Sequence, residues 1–196
     1  MNRKTTPKVK NGKVQKKNRH EITPNYWDFR QDSLQIDIES PGKGYKHFLK
    51  KRDIIRFLEI LPNWKEIDIE LDAILLAQGG GGADGWYING VIGICAWAKN
   101  KTCSMDREYF NDHQDIFQRL ELNYEIKKDG VICHFTESQI IAYQLLHILL
   151  HEIGHHHDRI NTKNKNDSAR GENYAEEYAV KYEKKIWDLY FNEFGY

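Results

Sequence analysis

LLHILLHEIGHHHDR (residues 145–159) is the stretch from which the rest of this chain can be read. As a helix it sets His151 and His155 four residues apart, so both imidazoles leave one face on adjacent turns. They are separated by about 6 Å along the axis, and side chains so placed can converge on one zinc ion with Zn–N bonds of about 2.0–2.1 Å. Glu152 flanks that face, where a carboxylate can take a proton from a water on the metal. The competing explanation is an ordinary helix that happens to carry histidines. With nine His in 196 residues, chance supplies roughly 0.03 H-E-x-x-H pentapeptides. The pentapeptide also ends a long apolar run, where a helix would be buried and rigid. The stretch is therefore read as a metal site.

Working outward, Thr136-Glu137-Ser138-Gln139 has the form of a capping box and starts a helix of about 137–158. Before it, Leu122, Tyr124 and Ile126 alternate, Asp129-Gly130 turns the chain, and Val131, Cys133 and Phe135 alternate back, which predicts a hairpin. After it comes a polar loop, NTKNKNDSA, and then a helix from about 170 to 192. Ala175, Tyr178, Ala179, Tyr182, Ile186, Leu189 and Tyr190 mark one face of that last helix, expected to pack on the metal helix.

A catalytic zinc site needs a third protein ligand. His147 shares the His151 face but stands eight residues from His155, about 12 Å along the axis. It is expected to be a hydrogen-bonded core histidine or a support to the site. His156 and His157 are rotated off the face. Asp158 and Asn161 stand where the Gly and last His of the longer H-E-x-x-H-x-x-G-x-x-H motif belong. The better candidate lies in GENYAEEYA (171–179), where Glu172, Ala175, Glu176 and Ala179 share a face. A small residue there lets two helices approach, so that a carboxylate crosses to the metal.

H-E-x-x-H followed by E-x-x-A-E resembles the gluzincin, thermolysin-like zinc metallopeptidases over residues 136–180. The resemblance implies that Glu172 is the third zinc ligand and that Glu176 orients a zinc-binding histidine, although Glu176 replaces the Asp or Asn usual there. The short connection between the helices suggests a compact form similar to the immunity-repressor-cleaving intracellular proteases, without their helix-turn-helix signature. Asp158 either holds a ligand's second ring nitrogen or caps the following loop. For an oxyanion donor, His156, His157, Arg159, Tyr174 and Tyr178 all stand nearby in sequence.

The upstream chain reads as β-rich. Leu34, Ile36 and Ile38 alternate before Pro41-Gly42, a helix is expected over about 51–61 before Pro62, and Ile67, Ile69 and Leu71 restart the period of two. GGGGADG (79–85) contains G-x-G-x-x-G, but a strand-like segment, WYINGVIGICAWA, follows where a phosphate loop needs a helix. Nucleotide binding is excluded on that ground, and a flexible hairpin loop is expected. MDREYFNDHQDIFQRL then suits a helix. The expected fold is α+β: a small, mostly antiparallel sheet from residues 30–135, packed on the active-site helix and a C-terminal helix.

Composition sets the setting. Residues 1–20 hold eight Lys or Arg and no acid, leaving 21 basic against 29 acidic residues, a net of −8. That tail is too poor in apolar groups to join a core and is expected to be disordered, with residues 21–196 forming a single metallopeptidase-like domain. Without interleaved aromatics it lacks the means to stack on bases, so any contact with nucleic acid is confined to its charge. No signal or membrane-spanning run is present. Three cysteines (Cys95, Cys103, Cys133), with no C-x-x-C, fit a reducing cytoplasm and argue against a thiolate zinc site.

The expected activity is zinc-dependent hydrolysis of a peptide or protein substrate, with Glu152 as base. A peptide would lie along a sheet edge supplied by 131–135 or 90–98. Two rivals are a non-catalytic zinc module whose metal staples the helices, and a nucleic-acid-binding regulator acting through residues 1–20.

Overall fold

A continuous apolar run, not an alternating one, builds the centre of the sheet. The computed structural model describes residues 9–10, 13–14, 26, 30–163, 165 and 169–195, with only the backbone of 9–10 and 13–14. The elements are β1 (Val9–Lys10), β2 (Lys13–Val14), β3 (Gln35–Ile38), β4 (Tyr45–Lys46), α1 (Lys51–Ile60), α2 (Trp64–Ile67), β5 (Ala73–Ala77), β6 (Gly85–Ile88), β7 (Val91–Cys95), β8 (Trp97–Ala98), β9 (Thr102–Met105), α3 (Arg107–Asp112), α4 (Gln114–Arg119), β10 (Asn123–Lys127) and β11 (Gly130–His134). Three segments then run end to end: α5 (Glu137–Tyr143), a π-helical stretch (Gln144–Leu149) and α6 (Leu150–Ile160). The last element is α7 (Glu172–Phe194).

The fold is α+β. Most strand pairs are antiparallel, as in the β9–β11–β10 sheet. The four-stranded sheet, ordered β3-β5-β7-β6, is mixed, because β3 and β7 both run parallel to β5. All five residues of β5, AILLA, are buried, as expected of a strand covered on both faces.

Several expectations are corrected. The alternation at Ile67, Ile69 and Leu71 forms no strand: Ile67 ends α2, Ile69 is 55% exposed, and Glu70 turns the backbone at φ 61°. WYINGVIGICAWA is not one strand but mainly a hairpin, β6 and β7, turned by Asn89 and Gly90 at φ 52° and 88°. Two residues at positive φ suit the Asn-Gly turn that matches strand twist. The glycine run is no hairpin loop, since it joins β5 to β6 across the intervening β7. The helix expected from MDREYFNDHQDIFQRL is broken at His113 into α3 and α4. The β10–β11 hairpin forms as expected, yet Tyr124 and Ile126 are exposed because β10 is an edge strand. On α7, Leu189 is likewise exposed, whereas Ala175, Ala179, Ile186 and Tyr190 are buried.

The capping box is present: Gln139 N donates to Thr136 Oγ1, and Thr136 N donates to Gln139 Oε1. The helix it starts reaches Ile160, with the fully buried π-helical stretch in the middle. No Gly or Pro marks that stretch, so nothing in its pattern announced the wider turn. Gln144, at its start, donates Nε2–H to the Cys95 carbonyl and ties the helix to the sheet.

Two glycines set the closest approaches around this helix. A Cβ on Gly154 would lie 2.8 Å from Ala175 Cα and 3.0 Å from its carbonyl oxygen, so Gly154 and Ala175 let α6 and α7 pack backbone to backbone. A Cβ on Gly85 would meet Glu152 Oε1 and Ile148 Cγ2, each at 2.7 Å. The last glycine of the run thus admits a carboxylate between β6 and α6; it does not cradle a phosphate. No helix among the described residues is long and apolar enough to cross a membrane. Apart from the backbone pairing of β1 with β2, the expectation for residues 1–20 falls outside the described residues.

Candidate metal centre

The close packing at Gly154 and Ala175 brings the start of α7 beside the two histidines of α6. Glu172 is the first residue of α7. Its Oε2 lies 3.1 Å from His151 Nε2 and 3.4 Å from His155 Nε2. Donor atoms sharing a tetrahedral zinc at about 2.0–2.2 Å lie roughly 3.3–3.5 Å apart; both distances from Glu172 Oε2 are close to that, and all three atoms lie within 4.8 Å of one another. On the far side of the His151 ring, Nδ1–H donates to Glu176 Oε2 at 3.2 Å. A carboxylate so placed fixes the tautomer that leaves Nε2 free for a metal. The residues fit zinc: two imidazoles, one carboxylate and an oriented ring.

Electrostatics agree with the geometry. Burial works against a charge on His151, but the hydrogen bond to Glu176 and the Glu152 charge raise its pKa. Glu176 is held below the usual carboxylate range: burial opposes this, and the hydrogen bond from His151 with the nearby His147 and His113 outweighs it. Burial followed by the His151 charge lowers His155. Glu152 is pushed up to about 7, chiefly by burial against Gly85 and Ile148, with His151 opposing and Glu172 adding. It accepts no hydrogen bond among the described residues, and it faces a groove of about 820 Å³.

The groove runs along β6, an edge strand, past Trp86 and Tyr87 to His151, His155 and Glu172. Neither stretch expected to supply a sheet edge lines this groove: β11 lies between β10 and β9, β7 between β5 and β6, and β8 pairs with β4 in a separate two-stranded sheet. A segment seen as strand-like in the sequence supplies that edge instead: β6, which begins at the last glycine of GGGGADG.

Other residues fall elsewhere than expected. Of its two expected roles Asp158 takes the second: fully buried, it accepts from the Arg170 backbone N and Nε, both at 2.6 Å, and so caps and clamps the loop between α6 and α7. Of the oxyanion candidates, none lines the groove. His156 donates Nε2–H to the Ile69 carbonyl and accepts from the Tyr87 hydroxyl, which fastens α6 to the sheet. Tyr174 pairs with His157, and Arg159 approaches Glu70.

His147, expected as a core histidine or a support to the site, is buried, and burial takes its pKa to about 3. Its ring stands 4.5 Å, centre to centre, from that of His113. The sequence reading passed over His113, a lone histidine in a polar helical segment 34 residues upstream. No local signal could have found it; only tertiary packing brings it to the groove.

Compared with known proteins, the chain matches no family model, no curated protein and no solved structure.

Proposed function

We propose that this protein is a zinc-dependent peptide-bond hydrolase of the gluzincin kind, acting in the cytoplasm on a peptide or protein substrate. The observation that carries the reading is the convergence of His151 Nε2, His155 Nε2 and Glu172 Oε2 beside the groove-facing carboxylate of Glu152. Zinc held there would supply Lewis acidity, polarising a carbonyl and acidifying water.

The rest falls to the chain's own residues. Glu152, with a pKa near 7, is matched to accepting a proton from water and returning it to the departing amine. Glu176 holds the His151 ring in register. An extended peptide would pair with the β6 edge and so lie across the groove. Three cysteines without a disulfide among them support a reducing compartment.

A zinc staple without catalysis accounts less well for Glu152. A buried carboxylate that accepts no hydrogen bond among the described residues costs stability, and stapling two helices does not need it. Glu152→Gln should fold, keep its zinc and lose peptide hydrolysis by at least the roughly 10²–10⁴-fold typical of removing a general base. Equal cleavage of a broad peptide library by both forms, or cleavage by neither, would return the site to a stapling role.

A further inference from the structure

Beyond the His151–His155–Glu172 site, the groove floor carries a second constellation of donors. His113 comes from the break between α3 and α4, His147 from the π-helical stretch, and Glu176 from α7. Glu176 Oε1 lies 3.8 Å from His113 Nε2, and Oε2 lies 3.7 Å from His147 Nε2. One ligand atom from each falls within 4.8 Å of the others. Both histidines are buried, His147 to 4% and His113 to 9% exposure. We propose that His113, His147 and Glu176 form a second binding site for a divalent transition-metal cation of the zinc class, adjacent to the first and distinct from it.

The orientation of His113 carries the argument. Its Nδ1 lies 2.7 Å from the Tyr109 carbonyl. A carbonyl only accepts, so Nδ1 bears the proton and, in the neutral ring, Nε2 presents a bare lone pair. That lone pair faces a carboxylate oxygen, acceptor against acceptor. A cation between them resolves the confrontation. Two rings stand back from the Glu176 carboxylate by nearly the same gap, 3.8 Å from His113 to Oε1 and 3.7 Å from His147 to Oε2. Ligands on a zinc at about 2.0–2.2 Å sit roughly 3.3–3.5 Å apart, and these donors, all within 4.8 Å of one another, need only draw together to complete the site. Two imidazoles with one carboxylate suit zinc, cobalt or nickel better than calcium or magnesium, which take oxygen. The Nδ1–carbonyl hydrogen bond of His113 is also the usual support of a metal-binding histidine.

Glu176 can serve both sites without conflict. Oε2 accepts from His151 Nδ1 and keeps a second lone pair toward His147, while Oε1 faces His113, so the carboxylate can meet the second cation without releasing His151.

The test is titration of the chelator-stripped full chain with Zn²⁺ by calorimetry, with Co²⁺ spectra to count sites. The wild type should take up two equivalents. His113→Ala should retain one equivalent, as should His147→Gln, which keeps a polar group in the buried helix. His151→Ala/His155→Ala should also retain one, bound by the other set. One equivalent tied to His113 alone would support this site and sink the hydrolase reading. One equivalent lost in His151→Ala/His155→Ala and untouched in His113→Ala would overturn this proposal and leave that reading standing. No binding at all would overturn both.

Discussion

Burial of the Glu152 carboxylate carries a measurable cost in stability. In the metal-free protein its pKa rises from 4.5 to about 7, mainly through burial. A raised pKa means that the folded state favours the protonated form. The associated stability is complete below pH 4.5 and is lost as pH climbs through 7. At about 1.4 kcal/mol for each tenfold change in proton affinity, ionising Glu152 costs the fold roughly 3 kcal/mol at pH 8. Only 6% of the residue is exposed, so solvent does little to reduce that figure. Glu152→Gln removes the charge while keeping the volume. In the presence of chelator the mutant should therefore melt higher than wild type at pH 8, by roughly 6–12 °C for a domain of this size. Near pH 4 the two should melt together. Adding zinc should shrink the pH 8 difference, because a neighbouring cation stabilises the carboxylate. Thermal melts by circular dichroism across pH 4–8 decide it. A constant difference at every pH, or none, would refute the account of Glu152 as a strained, unpartnered base.

Glu172→Ala should weaken zinc binding at the His151–His155 site more than Glu176→Ala, since the first removes a ligand and the second only the support of a ligand. Loss of an outer partner typically costs about 10–100-fold in affinity, and equal losses in competition titrations would reassign the ligand. Gly154→Val should destabilise the fold by about 1–3 kcal/mol through overpacking and weaken zinc binding at least tenfold, because added carbons must push Ala175 and hence Glu172 away; an unchanged melting temperature and titration would contradict the packing argument. Deleting residues 1–20 should leave melting temperature and zinc content unchanged. A large drop in melting temperature would make the tail structural.

The sequence by itself determined what is local. Four-residue spacing on a helix put His151 and His155 on one face, the capping box at Thr136 and Gln139 fixed where that helix starts, and Asp129-Gly130 turned the β10–β11 hairpin. Each depends on residues within a few positions of one another, where backbone geometry alone decides. A small residue on the last helix already pointed to a close approach; that Ala175 meets Gly154 in particular, at backbone distance, and so carries Glu172 to two imidazoles, is a fact of helix packing. The same holds for strand order. AILLA declared a buried strand only once β3 and β7 lay on either side of it, and β6 became the groove's edge because the chain crosses β7 before turning back. His113 shows the limit most clearly. A single histidine has no periodicity and no neighbouring motif, and its place beside His147 and Glu176 follows from the packing of three separate elements around one groove.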